Sequence, residues 1–397
     1  MIDALTCLAG VALVQALGAM LRRGTPFFQA LRSPASAWLG IAVLYAASLG
    51  LPGLLLLAAG VAAALVLKGA ADRPLPAPML ALVVLAVAVL ARPWVPTYWD
   101  EFVWLAKARL ESLGFGAGLQ AALDPAQKVI PQGYPPLWPA AVGWLSLGRD
   151  ALGAHVLGAT ALLLLCAASA IEVWQARLKT SLLPLIAVLA APLVWVHLRA
   201  TYLDLPVGLL GLALLGHLLQ SEGRPSLVTV AMAVALVAIK DDGLAHVLAA
   251  TGAALAFGAS RSWRQAVPAV VALIAVGLWK GLAQQHGTAA VDHAIDGFAW
   301  QWIPTLVKLF ALHATDVFSW GGFWAVALAA LVWPDPRLRP LRAMIVLLAL
   351  LMAGALLIGP ERVRVFAENG TLLNRLLLQL WPAAAAALLM RAQSARV

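Results

Sequence analysis

Charged residues are scarce in this chain. Charged residues make up 11% of its 397 positions, whereas 63% are hydrophobic and the mean hydropathy is +0.90. A soluble domain contains about 25% charged and about 45–50% apolar residues. The composition therefore excludes a water-soluble fold and an intrinsically disordered chain. Cysteine is scarcer still, and the two present, Cys7 and Cys166, fall inside apolar runs, which excludes a disulfide scaffold.

In place of charge the chain has apolar runs of about 20 residues, the length that crosses a hydrocarbon core of roughly 30 Å. The runs are continuous rather than alternating, so they predict helices and not a β-barrel. The sequence thus predicts an all-α polytopic membrane protein with about 13 transmembrane helices. These helices are expected at residues 3–21, 36–50, 51–68, 77–92, 151–173, 180–198, 205–220, 225–239, 243–258, 265–282, 318–333, 341–359 and 372–390.

The few charges are divided unequally between the two sets of loops that these spans create. One set carries 15 Lys and Arg against four acids, a balance of +11, and the other carries 12 against 14, a balance of −2. Cytoplasmic loops carry the excess of Lys and Arg. We therefore expect the N-terminus outside and the C-terminus in the cytoplasm. The richness in Ala, Leu and Arg is typical of a bacterial chain, which predicts the bacterial inner (plasma) membrane. The net charge of +9 is explained by topology, so no nucleic-acid partner is expected.

Two long segments, 93–150 and 283–317, lie on the predicted outer face, and the first contains adjacent acids, Asp100 and Glu101. An amphipathic helix lying at the membrane interface is expected to begin near this pair. Acids at a helix start are favourable for dipole reasons alone. However, two acids next to Trp99 and Phe102 at membrane level are costly unless they are used. A partly desolvated carboxylate also suits a general base, which makes the pair a candidate for catalysis.

Other polar residues lie on the same predicted face, and each can be explained either by a structural role or by a functional one. Asp204 is as well explained as a helix cap before Pro206, and Arg375 as a side chain that snorkels to the interface. Together they suggest a substrate groove. Cations that could hold a phosphate are Lys107, Arg109, Arg199, Lys240 and Arg375. Further candidates for substrate contact are Tyr134, Tyr202 and Asp241.

No metal site is predicted from the histidines, because the seven of them show no paired ligand spacing. Asp292, His293 and Asp296 could approach a cation, but a solvated loop is the simpler interpretation. No cofactor is therefore expected from the sequence, and a divalent cation is left open.

The order of these motifs resembles the GT-C class of membrane glycosyltransferases, in particular the bacterial relatives of protein O-mannosyltransferases and lipid A aminoarabinose transferases. The resemblance covers about residues 77–390. It divides the chain into additional N-terminal transmembrane helices at 1–76 and a GT-C-like core at 77–397. The matching motifs are Trp99-Asp100-Glu101, Tyr134-Pro135-Pro136, Arg199-Ala-Thr-Tyr-Leu-Asp204-Leu-Pro, Lys240-Asp-Asp-Gly243 and Asn374-Arg-Leu-Leu-Leu-Gln-Leu-Trp-Pro382.

This resemblance implies a sugar donor linked to polyprenyl phosphate, catalysis on the non-cytoplasmic face, and a lipid, glycan or protein acceptor. It also implies that Asp100 contacts the acceptor, that Glu101 assists, and that Asp204 is the acid of the second outer loop. Two features depart from the family pattern. The chain lacks the large C-terminal soluble domain of some relatives, and its Lys240 motif contains Asp-Asp where Asp/Asn-Glu is expected.

Two other functions are compatible with the sequence. A lipid-linked sugar transporter or flippase would also place charges in the membrane, but the ionisable groups fall at predicted outer turns and no inverted repeat is visible. A polysaccharide polymerase or ligase would also build outer loops. Those enzymes rely mainly on Arg and His side chains, whereas this chain has an Asp-Glu pair in its first outer loop.

Overall fold

The structure, a computed structural model, describes residues 2–22, 25–66, 99–126, 133–174, 188, 190–198, 200, 202–288 and 297–391. Within these ranges it is helical and contains no β-strand. The α-helices, in chain order, are α1 (Ile2–Leu21), α2 (Phe27–Leu31), α3 (Ala35–Ser48), α4 (Leu51–Val66), α5 (Trp99–Arg109), α6 (Ala117–Leu123), α7 (Leu137–Leu145), α8 (Leu152–Trp174), α9 (Pro192–Leu198), α10 (Asp204–Gln220), α11 (Leu227–Ile239), α12 (Gly243–Phe257), α13 (Val267–Gln285), α14 (Ile303–Ala314), α15 (Val317–Trp320), α16 (Phe323–Val332), α17 (Arg339–Ile358), α18 (Glu361–Glu368) and α19 (Thr371–Arg391).

Among the residues that the structure describes, five helices are long and apolar enough to cross a membrane: α1, α8 and α19, and α13 and α17 together with the short 3-10 turns that precede them. Six shorter apolar helices accompany them: α3, most of α4, α10, α11, α12 and α16. This set is what a polytopic membrane protein requires. These helices coincide with eleven of the 13 predicted spans. The predicted span at 77–92 lies outside the described residues. Of the predicted span at 180–198, the structure describes mainly the last part, which forms α9.

Local sequence explains several helix boundaries. Ser226 caps α11, because its hydroxyl accepts a hydrogen bond from the Thr229 amide at 3.4 Å. Asp316 caps α15 in the same way by accepting from the Phe318 amide at 3.0 Å. Proline in the first turn of α13, α14 and α17 needs no amide donor there.

Helix α10 occupies the centre of the bundle, where it contacts α8, α11, α12 and α19. Three of its positions are glycines that admit close neighbours. A Cβ at Gly208 would lie 2.7 Å from the Gln379 carbonyl oxygen, and one at Gly216 would lie 2.8 Å from Trp174 Nε1. Because α10 is enclosed on these sides, Asp204 at its first turn is fully buried.

Helix α5 begins at the predicted acids but differs in orientation from the interfacial helix expected there. Its polar residues Glu101 and Lys107 are buried together with Trp104, whereas Phe102 is 47% exposed. A helix lying on a membrane surface would turn its polar residues to water. Instead, α5 contacts α7 and α8, so Glu101 and Lys107 point into the protein.

The helices of the predicted N-terminal region pack directly on the core. Glu172, at the end of α8, accepts hydrogen bonds from the Ser33 hydroxyl at 2.6 Å and the Ala35 amide at 3.3 Å. Trp38 donates to the Ser169 hydroxyl at 3.1 Å. We call this buried polar group the Glu172 cluster. It joins the start of α3 to the end of α8.

Candidate functional site

Five helix ends meet on the opposite side of the bundle: the starts of α10, α12 and α19 and the ends of α11 and α13. Asp204, with no exposed surface, is the centre of their polar contacts. Its Oδ1 accepts from Lys240 Nζ at 2.7 Å, and its Oδ2 accepts from Arg375 Nε at 2.8 Å. Residues far apart in sequence thus share one buried carboxylate.

Gln379 and Asp242 complete this arrangement. The Gln379 amide nitrogen donates to Asp204 Oδ1 at 2.9 Å and to Asp242 Oδ2 at 3.0 Å. Lys240 Nζ also contacts Asp242 Oδ2 at 2.6 Å. His246 Nε2 lies 3.0 Å from the Gln379 Oε1. We call Asp204, Lys240, Asp242, Arg375 and Gln379 the Asp204 network.

The network contains two carboxylates and two cations, so its charges balance. Burial alone would lower the pKa of Lys240, but Asp204 and Asp242 outweigh burial and hold that pKa above its usual range. Burial likewise opposes ionisation of Asp242, and Lys240 reverses this effect, so the pKa of Asp242 lies below its usual range. Both groups are therefore charged at neutral pH.

An aromatic wall borders the network. The Arg375 guanidinium lies over the Tyr202 ring at 5.2 Å, and that ring is 4.9 Å from the His197 ring. Among the described residues, the charged groups that act electrostatically on His197 include Asp204, Arg375, Lys240 and Glu101. Glu101, which is 2% exposed, therefore belongs to the same region of the protein.

Lys107 and Tyr134 form a second group around Trp104. Lys107 Nζ lies 5.1 Å from the centre of the Trp104 ring, and the Tyr134 ring is 6.3 Å from it. Desolvation by burial lowers the pKa of Lys107 to about 8. A cation above an aromatic face is stabilised by the ring quadrupole. This lysine is therefore charged at neutral pH and loses its proton in mildly alkaline solution.

Asp241 and Arg109 take other partners. Lys280 Nζ lies 2.7 Å from Asp241 Oδ1, which fixes the end of α13 beside the turn between α11 and α12. Arg109 Nε is 2.6 Å from Asp150 Oδ1 in a pair whose side chains are 67% and 51% exposed. Such an exposed pair is an ordinary surface contact.

Two predicted site residues fall wholly or partly outside the described residues. The side chain of Asp100 and the whole of Arg199 lie outside what the structure describes. Of the predicted catalytic acids, Glu101 and Asp204 are described, and both are buried. Asp204 accepts three hydrogen bonds from Lys240, Arg375 and Gln379, which suits a residue that positions cations rather than one that accepts a proton.

Sequence reasoning missed Gln379, Asp242, His246 and Lys280. A local signal for Gln379 was present, because it follows Arg375 by four positions on one predicted helix and so shares its face. Asp242 directly follows Asp241, which was singled out instead. Lys280 and His246 lay within apolar runs, where nothing local marked a partner.

Among the described residues, no group of three or more His, Cys, Asp or Glu is arranged to hold a metal ion. The segment containing Asp292, His293 and Asp296 lies outside the described ranges.

Compared with protein-family models, curated proteins and solved structures, the chain matches none of them.

Proposed function

We propose that this protein is a GT-C-like membrane glycosyltransferase that moves a sugar from a polyprenyl-phosphate-linked donor to a lipid, glycan or protein acceptor. In this proposal it spans the bacterial inner membrane with its N-terminus outside and its C-terminus in the cytoplasm. The Asp204 network then faces the periplasmic side, since it lies at the ends that the charge distribution assigns to the outside.

One observation carries the proposal: Asp204 holds two cations at a common end of five helices. Arg375 is 29% exposed, compared with 10% for Lys240, so the arginine is the more accessible of the two. A departing lipid phosphate requires donors fixed in advance around its oxygens. Asp204 thus takes the role of a positioning residue, and Arg375 and Lys240 are assigned to the phosphate.

The proposed reaction is a single displacement at the anomeric carbon. The acceptor hydroxyl oxygen forms a bond to this carbon as the bond from carbon to phosphate oxygen breaks. The phosphate leaves with the bonding electron pair, and the hydroxyl proton passes to a carboxylate. Attack from the side opposite the phosphate inverts the configuration. Asp100 is assigned as the base and Glu101, one residue further along α5, as its assistant.

Replacement of Asp100 tests this assignment. We expect Asp100→Asn to reduce transfer about 10²–10⁴-fold, because the acceptor hydroxyl loses its general base, without changing thermal stability. Transfer of radiolabelled sugar from polyprenyl-phosphate donors by protein in lipid nanodiscs provides the measurement. Asp124→Asn, in the turn after α6, is the matched control and should retain activity. Transfer by Asp100→Asn at the wild-type rate would overturn the assignment.

A lipid-linked sugar transporter is the main alternative, and a polysaccharide polymerase or ligase is another. The position of the charges favours an enzyme over a transporter. Asp204 is the first residue of α10, and Lys240 and Asp242 lie between α11 and α12, so these charges occupy helix ends rather than the middle of a span. Transporters place their coupling sites near the bilayer midplane. Sugar movement across sealed vesicles without glycosidic-bond formation would favour the transporter.

A further inference from the structure

A groove separate from the Asp204 network lies between the 3-10 turn at Trp300–Trp302 and helix α18. Its volume is about 230 Å³. Its polar lining consists of Gln301, Trp302, Glu361, Arg364 and Glu368, and we call it the Trp302 groove. None of these residues was singled out in the sequence. This volume lies below the roughly 300–1,000 Å³ of sites for drug-sized ligands, which suits one sugar ring better than an extended polymer.

Several contacts hold the walls of the groove in place. The Ala299 amide donates to the Leu357 carbonyl at 2.9 Å, which ties the turn to the end of α17. Trp302 Nε1 donates to Glu368 Oε1 at 3.3 Å, from one wall to the other. Arg364 Nη1 donates to the Gly359 carbonyl at 2.8 Å, which orients the guanidinium. Trp302, Arg364 and Glu368 are therefore held in position.

The chemistry of the lining selects among ligands. Two carboxylates and one guanidinium give the groove a formal charge of −1, which disfavours phosphate groups. Carboxylate and amide oxygens accept hydrogen bonds from hydroxyls, and guanidinium N–H groups donate to them. The indole of Trp302 adds an apolar surface beside these groups. An uncharged, hydroxyl-rich ring satisfies all of these features together.

The groove lies on the same side of the protein as the Asp204 network. Helix α18 is followed by α19, whose second turn carries Arg375. A turn at Asn369 and Gly370 and the first turn of α19 separate Glu368 from Arg375. Even a fully extended link would leave their Cα atoms at most roughly 17 Å apart. A short oligosaccharide can span that distance. A ring bound in the groove could therefore present a neighbouring ring to the phosphate cations.

We propose that the Trp302 groove is a subsite for an uncharged sugar ring of a glycan acceptor. This inference rests on the proposed glycosyltransferase function and deepens it, since it selects a glycan among the lipid, glycan and protein acceptors. The donor's sugar has the same chemistry, so the experiment must distinguish the two sources.

Binding is tested first, without reference to activity. Methyl glucoside, methyl mannoside and methyl galactoside serve as probes in saturation-transfer NMR with the whole protein in nanodiscs, and inorganic phosphate is the comparison. We expect binding of at least one glycoside and its weakening by about tenfold in Glu361→Gln and Glu368→Gln, because each loses a charge-assisted hydrogen bond. Glu222→Gln, at an exposed turn elsewhere, is the control. Equal binding by all variants, or no binding of any glycoside, overturns the subsite.

Kinetics then separate the two sources of the ring. If the groove binds the acceptor, Glu361→Gln raises KM for a glycan acceptor about tenfold and leaves KM for the donor unchanged. A raised KM for the donor alone overturns the acceptor assignment, and so does efficient transfer to peptide acceptors that is insensitive to both substitutions. If glycoside binding depends on Glu361 but the protein transfers no sugar, the sugar subsite stands and the proposed glycosyltransferase function is overturned.

Discussion

The two ends of the helix bundle both bury carboxylates, but they satisfy them differently. Glu172, 1% exposed, accepts from a serine hydroxyl and a backbone amide. Asp204, fully buried, accepts from a lysine, an arginine and a glutamine. The first arrangement joins α3 to α8 through groups suited to a structural contact. The second gathers two carboxylates and two cations, whose burial is costly, and the proposed chemistry is assigned to it.

Removal of the Asp204 carboxylate gives the largest expected effect. Asp204→Ala leaves Lys240 and Arg375 without their shared anion, so we expect the free energy of unfolding to fall by about 3–5 kcal/mol, with transfer abolished. Denaturant titration in micelles measures the stability. The matched control is Asp150→Ala, which breaks the exposed pair with Arg109 and should leave the free energy of unfolding nearly unchanged. If both substitutions lowered the free energy of unfolding equally, the buried Asp204 network would be no more stabilising than the exposed Arg109–Asp150 pair.

The Glu172 cluster should be sensitive in stability alone. Glu172→Gln weakens the bonds from Ser33 and Ala35, so we expect a loss of about 1–3 kcal/mol in the free energy of unfolding. The sugar transfer rate per folded molecule should stay at the wild-type value. The same titration and transfer assays apply. A large loss of transfer with unchanged stability would contradict a purely structural role for Glu172.

Gln379 offers a finer test within the Asp204 network. Gln379→Leu keeps approximate volume but removes the donor to both Asp204 and Asp242, which we expect to cost about 1–3 kcal/mol. Because Lys240 and Arg375 still hold Asp204, transfer should fall less than in Asp204→Ala. Gln379→Glu adds a negative charge beside two carboxylates and should be worse than Leu. The opposite order in a thermal unfolding series would argue against the hydrogen-bond assignment.

The smallest effect concerns pH and lies outside the network. Lys107, whose pKa burial lowers to about 8, is charged below that pH and neutral above it. If Lys107 contacts the donor phosphate, KM for the donor should rise as the pH passes upward through about 8. Lys107→Arg keeps its charge and should extend the low-KM range to higher pH. A pH profile identical in both proteins would exclude Lys107 from phosphate binding.

The sequence predicted helix positions well because each apolar run is a local property. The predicted span 205–220 became α10, Asp204–Gln220, and the span 243–258 became α12, Gly243–Phe257. The site was predicted only in part. Three members of the Asp204 network, Asp204, Lys240 and Arg375, were candidates from the sequence, whereas Gln379 and Asp242 were not. The pairing of Asp204 with Arg375 depends on a packing contact across 171 positions of sequence, which no local pattern encodes.

The orientation of α5 illustrates the same limit. Its sequence places Glu101 and Lys107 beside aromatic residues, a composition that fits both a membrane interface and a buried contact. Only the neighbours α7 and α8 decide that the charged residues face inward. Likewise, Gln379 shared a predicted face with Arg375, but its bridging of two carboxylates required the end of α10 and the turn before α12.

The bridging amide of Gln379 also gives the network a direction. Ionised carboxylates only accept hydrogen bonds, so Gln379 must turn its amino group to Asp204 and Asp242 and its carbonyl oxygen to His246. His246 must then carry its ring proton on Nε2. Its Nδ1, buried and without a hydrogen-bond partner among the described residues, packs against Gly211. The hydrogen bonds therefore all point the same way: the imidazole donates to the amide oxygen, and the amide nitrogen donates to the carboxylates. Moving the His246 ring proton to Nδ1 would leave the Gln379 carbonyl oxygen without this donor.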